Sequence, residues 1–103
     1  MTSLTRGTTP TLIFELPFDA SEAQEIWISF RQGPKLVMNK ALTDLTVEGE
    51  KVSVHLTQEE TLELCRKDSC AIQVRVLTKD GEAMASQIIS CSVADILKDG
   101  VIE

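Results

Sequence analysis

The sequence predicts an all-β fold: an antiparallel β-sandwich or partly closed barrel of about six or seven strands, a single domain over residues 1–103, with one short helix near residues 57–65. Three observations carry this prediction. Apolar residues alternate with polar ones over short runs instead of returning every three or four positions. Turn signals built on glycine, proline and Asp-Gly separate those runs at intervals of about a dozen residues. No segment between two runs has the length and pattern of a helical crossover, which argues against a parallel sheet.

Pro10–Leu16 sets Leu12, Phe14 and Leu16 against Thr11, Ile13 and Glu15, the pattern of a half-buried strand. Pro17 ends it, because proline cannot donate to a ladder. Asp19–Gln24 is a polar link with room for one helical turn. Glu25–Arg31 is the clearest strand, with Ile26, Ile28 and Phe30 on one face and Trp27, Ser29 and Arg31 on the other. Gln32-Gly33-Pro34 has the chemistry of a turn and leads into Lys35–Asn39, giving a hairpin. A second hairpin joins Leu42–Val47 to Lys51–Leu56 through Glu48-Gly49-Glu50, with Val52, Val54 and Leu56 inward and Ser53 and His55 outward.

Thr57 and Glu60 then fit a capping box, in which hydroxyl and carboxylate satisfy free backbone donors reciprocally. Glu59, Glu60 and Glu63 suit the positive end of a helix dipole, and Leu62 with Cys65 or Arg66 marks about two turns. So short a helix must lean on the sheet. Ala71–Thr78 returns to strand through Ile72, Val74 and Val76, and Lys79-Asp80-Gly81-Glu82 is a tight-turn signal. In the return arm Ala83–Val93, a bulge near Ser86 would reset the phase and bring Ile89, Cys91 and Val93 onto one face. The expected core is Leu12, Phe14, Ile26, Ile28, Phe30, Val52, Val54, Leu56, Leu62, Ile72, Val74 and Val76.

Ten basic against sixteen acidic residues give a net charge of −6, which argues against a nucleic-acid partner, since phosphate affinity comes from clustered Lys and Arg. No run approaches the length of a membrane span. MTSLTRGTTPTLIFELP lacks the basic start and apolar stretch of a signal peptide, so synthesis in the cytoplasm is expected. Three cysteines without a secretory signal favour free thiols. Cys65 and Cys70 are near enough in sequence to meet across a turn, while Cys91 reads as a buried small hydrophobe. With no CxxC and a lone His55, no metal or other cofactor is expected.

Catalysis finds no constellation either. Ser53 lies two residues from His55 on one strand face, which reads as a solvated polar face, and the isolated glycines form no phosphate loop. The acidic group Glu59, Glu60 and Glu63 lacks the alternating ligands of a calcium loop. No catalytic residue and no small-molecule substrate is expected. A binding surface is better supported. Ile13, Trp27, Val37 and Leu77 fall on the parity opposite the core residues of their strands. Four such residues, the only tryptophan among them, read either as a patch for another subunit or as positions covered by the helix and terminal segments. Open sheet edges offer a second route to a partner.

Three segments together carry a resemblance: TPTLIFELPFDASEAQEIWISFRQG, VSVHLTQEETLEL and IQVRVLTKDGEAMASQIISCSVADILKDGVI. The chain resembles the small immunoglobulin-like β-sandwich domains of tailed-phage and prophage structural proteins, of the type found at the N-terminus of upper baseplate proteins. The shared features are a strand leading through a proline to a glycine-turn hairpin, the turn Leu56-Thr57-Gln58-Glu59-Glu60, a Lys-Asp-Gly hairpin, and the closing Leu-Lys-Asp-Gly. The resemblance implies a non-catalytic phage or prophage structural protein of tail or baseplate, made in the bacterial cytoplasm and destined for the virion. Its partners would be other phage structural proteins or further copies of itself, through Ile13, Trp27 and Val37. Baseplate proteins of this type continue into a coiled coil or receptor-binding region; here the sequence stops at Glu103, and the expectation is either a small accessory structural protein or one whose gene merely sits in a prophage. The alternative is a small non-viral binding module, regulatory or carbohydrate-binding, on the same sandwich. One Trp, three Phe and no Tyr count against a sugar site.

Overall fold

Two sheets pack face to face in the computed structural model, which describes residues 3–64 and 69–103. The strands are β1 (Ser3–Thr5), β2 (Thr11–Glu15), β3 (Ala23–Gln32), β4 (Lys35–Ala41), β5 (Leu45–Glu48), β6 (Lys51–His55), β7 (Cys70–Thr78), β8 (Ala83–Ala85) and β9 (Ile89–Ala94). Helix α1 (Gln58–Leu62) links β6 to β7, and a 3₁₀ turn over Leu42–Asp44 follows β4. The large sheet runs β1-β9-β7-β3-β4, with β8 also paired to β7; the small sheet runs β2-β6-β5.

In immunoglobulin lettering, β2, β6 and β5 stand as B, E and D, while β9, β7, β3 and β4 stand as G, F, C and C′. The chain is an immunoglobulin-like β-sandwich. It does without the antibody hallmarks: β2 has no cysteine to bridge to β7, the tryptophan of β3 faces outward, and the chain has no tyrosine. Its core is instead almost wholly aliphatic. Ile26, Ile28 and Phe30 of β3, Ile72, Val74 and Val76 of β7, and Val52, Val54 and Leu56 around β6 are each 3% exposed or less. Burying each such side chain contributes roughly 1.5–3 kcal/mol.

Two single-residue insertions set which side chains face out. Phe30 pairs with Met38 but Arg31 pairs with Leu36, so β4 carries Val37 as an extra residue. In the arm after the Asp80-Gly81 turn, Ala85 pairs with Arg75 and Ile89 with Ile72. Four steps along that arm match three along β7, so the phase resets as the sequence suggested. Ser86 seals the joint: its N–H donates to Val74 O at 2.8 Å, and its hydroxyl accepts the Val74 N–H at 3.0 Å. The arm is thus two strands, β8 and β9, and Cys91 turns into the core.

Other expectations need correction. β1 was not anticipated, and it pairs with β9 in parallel, so the sandwich is not wholly antiparallel. With β1 added and the last arm divided, nine strand segments stand among the described residues, not six or seven. Leu42–Val47 does not begin as strand; its first three residues form the 3₁₀ turn, with the Asp44 carboxylate accepting the Ala41 N–H. Leu12 and Leu62 are half-buried, whereas Leu4, Leu16 and Leu64 are fully inside.

Helix α1 occupies its expected place. Thr57 caps it, accepting from Glu60 N–H, while the Glu60 carboxylate accepts from Thr57 N–H. Its last turn tightens, with Glu63 and Leu64 N–H bonding three residues back. Thr61 is completely buried, and its hydroxyl donates to Thr8 O at 2.9 Å, tying the helix to the segment between β1 and β2. The expectation that the helix reaches Cys65 falls outside the described residues. Thr61→Val keeps the shape and leaves the Thr8 carbonyl without that donor; a loss of about 1–2 kcal/mol is expected. Urea unfolding checks it, with the midpoint lowered and the slope unchanged.

Candidate partner-binding face

The outward face of the large sheet is built in rungs, because residues paired across antiparallel strands share a face. Trp27 lies between Ala41 and Arg75; Ser29 between Asn39 and Gln73; Arg31 between Leu36 and Ala71. The middle rung is small and polar, and the Ser29 hydroxyl donates to Asn39 Oδ1 at 2.6 Å. Open hollows of ≈ 440 and ≈ 290 Å³ lie on either side of this rung and meet at Ser29. Trp27 and Leu77 line the first; Leu36 and Ile88 line the second. Trp27, Leu36 and Ile88 are 43%, 52% and 66% exposed, an apolar rim around a neutral floor. The Trp27 indole N–H reaches Glu25 Oε1 at 3.3 Å, which fixes the ring over the first hollow.

The charge of this face differs from that of the chain. Its rungs carry Glu25, Arg31 and Arg75, one acid against two bases, on a protein with a net charge of −6.

The structure does not bring the three partner-binding residues chosen from sequence together. Trp27 lies on this face. Ile13 is 67% exposed but belongs to β2, on the outward side of the other sheet, where it pairs with Ser53. Val37 is the extra residue of β4 and packs half-buried against the core. Leu77, opposite Glu25, is on the Trp27 side as expected. Leu36 and Ile88 were missed. Leu36 takes the outward position that the insertion at Val37 denies its neighbour, and Ile88 follows the joint at Ser86.

The other candidates resolve into structural roles. His55 is exposed, and its Nδ1 meets the Thr11 hydroxyl at 2.9 Å across the β2–β6 ladder. The Ser53 hydroxyl turns to Thr46 O at 3.4 Å, so the pair has no nucleophile–base geometry. Among the described residues no group of His, Cys, Asp or Glu could hold a metal ion. Of the acidic group, Glu60 is already engaged: it accepts from Thr57 N–H and pairs with Lys40, which reaches it from β4. Cys70 and Cys91 are free and buried. The suggested meeting of Cys65 with Cys70 falls outside the described residues.

No protein-family profile matches the chain, and no curated protein matches it. Among solved structures the chain is similar to the V domain of amphioxus IgVJ-C2, with 16% sequence identity and a TM-score of 0.38, over 90% of this chain and 99% of that one. The fold assignment rests on the strand order given above, and so loose a superposition adds nothing to it.

Burial acts to raise the Glu60 carboxyl, but the bonds from Lys40 and Thr57 outweigh it and hold it below its ordinary value. A carboxyl held low in the folded chain contributes stability that is complete above its unfolded pKa, about 4.3. That contribution is lost as pH falls through the lower folded value. Glu60→Gln preserves the capping box and removes the charge. It should cost about 1 kcal/mol at neutral pH. The gap to wild type should narrow as pH falls below the unfolded value and close once the lowered folded-state carboxyl is protonated. Denaturant unfolding at neutral and acid pH measures the gap.

Proposed function

We propose that this chain is a non-catalytic structural module of a phage or prophage tail assembly, and that it associates with a second copy of itself through the outward face of the large sheet. The first half is supported by the resemblance of the three segments quoted above. The second half is supported by the order of groups on that face. Glu25 and Arg31 stand at opposite ends of the outward stripe of β3, with Trp27 and Ser29 between them. A two-fold axis lying across the strands reverses β3 in the partner, so Glu25 of each copy meets Arg31 of the other. The same operation sets the rim of one copy over the hollow of its mate, the self-complementarity an isologous contact needs. The scarcity of acid on the face lets two strongly acidic chains approach there.

Light scattering coupled to size exclusion, over a wide concentration range, tests this. Wild type should rise from one toward two copies. Trp27→Glu and Leu36→Glu should remain monomeric, while Ile13→Glu, on the other sheet, should behave as wild type. A strict monomer at every concentration would exclude the second copy as occupant. Loss of association in Ile13→Glu but not in Trp27→Glu would place the contact on the wrong sheet.

A further inference from the structure

Strands β7 and β9 set Cys70 directly opposite Cys91 as partners in antiparallel register. Both side chains point into the core, at 0% and 1% exposure. Directly opposed residues of antiparallel strands have Cα atoms about 4.5–5.5 Å apart, inside the roughly 4.4–6.8 Å that a disulfide spans. We propose that Cys70 and Cys91 are a redox-responsive pair that closes into a cross-strand disulfide under oxidising conditions and opens under reducing ones.

In the reduced chain the Cys70 thiol donates a weak bond to Ala71 O at 3.9 Å. Closure gives up that bond and needs no change of strand register. The oxidant is a small-molecule disulfide such as oxidised glutathione. One cysteine thiolate attacks it, forming a mixed disulfide and expelling one glutathione thiolate. The second cysteine thiolate then attacks the protein sulfur of that mixed disulfide and expels the other glutathione. Two cysteine thiols are oxidised to one disulfide, glutathione disulfide is reduced to two thiols, and the two protons released by the cysteines are taken up by glutathione. Burial raises both thiols, Cys70 to about 11 with the neighbouring Cys91 adding to the effect. Exchange at neutral pH is accordingly slow and accelerates with alkali, because only the thiolate attacks.

The bond would act where the large sheet is least continuous. β9 meets β7 over only three register pairs below the Ser86 joint, and it alone carries β1. A covalent link at the first of these pairs fixes β9, and with it β1, to the central strands.

The test uses the full chain carrying Cys65→Ser, incubated folded with oxidised glutathione. Expected are the loss of both remaining thiols, a mass lower by two hydrogens, and a cross-linked peptide holding Cys70 and Cys91. The melting temperature should rise by about 10 °C, since closing a loop of this size restricts the unfolded chain. Reduction with dithiothreitol should reverse every change. Adding Cys91→Ser should abolish the mass loss and the shift, with circular dichroism confirming that the variant folds. Retention of both thiols, or closure only after unfolding in urea, would overturn the proposal. So would a lower melting temperature in the oxidised form.

Discussion

Ile26, Ile28 and Phe30 of β3 lie opposite Val76, Val74 and Ile72 of β7, and this ladder of apolar pairs fixes the position of everything else. Because side chains alternate with period two, a slip of one residue would turn all three apolar residues of the slipped strand outward at once. The register is therefore held by burial, not by any one hydrogen bond. The hairpin to β4, the arm carrying β8 and β9, and the stripe of Trp27, Ser29 and Arg31 all take their orientation from it. The small sheet is a separate three-stranded antiparallel sheet closed over the same inward face.

Two sheets pressed together still need their ends tied, and here polar side chains do it. Lys40 reaches α1 from β4, while Arg6 reaches it from the segment after β1, donating to Leu64 O at 2.9 Å and Leu62 O at 3.2 Å. Arg6 also bonds Asp95 at 2.8 Å, which brings the chain beyond β9 to the same place. Gly7 makes that approach possible. It has φ +73°, and a Cβ there would meet Ile96 Cδ1 at 2.8 Å. Gln58 completes the arrangement by exchanging two hydrogen bonds with the backbone of Ile102, at 2.9 and 3.1 Å. Helix α1, the β1–β2 link and the closing segment thus form one cluster at one pole of the sandwich.

How much of this was legible depended on whether a signal was local. The alternation in Glu25–Arg31 is regular, and Trp27 was correctly placed outside. Thr57 and Glu60 announced the helix because a capping box is complete within four residues. The insertion at Val37 has no such mark: it is not a glycine, and only the partner strand shows that one residue is extra. Parity also separates inside from outside without saying which sheet a strand joins, so Ile13 and Trp27 looked like neighbours. Helical spacing from Leu62 to Cys65 or Arg66 makes Leu62 the expected inward residue, whereas the last turn tightens and Leu64 is the one buried. β1 has a single buried side chain, Leu4, too little for any pattern to register.

The parallel pairing of β1 with β9 bears on how the domain carries load. The two strands run in the same direction, so the start of β1 and the end of β9 lie at opposite ends of their shared ladder. Tension applied between Ser3 and Ala94 acts along the strands and strains all three pairs, Ser3 with Ser92 through Thr5 with Ala94, at the same moment. The ladder must then fail as a unit; it cannot unzip pair by pair. A module joined to its neighbours through these two points would resist being pulled apart more strongly than the shortness of β1 suggests.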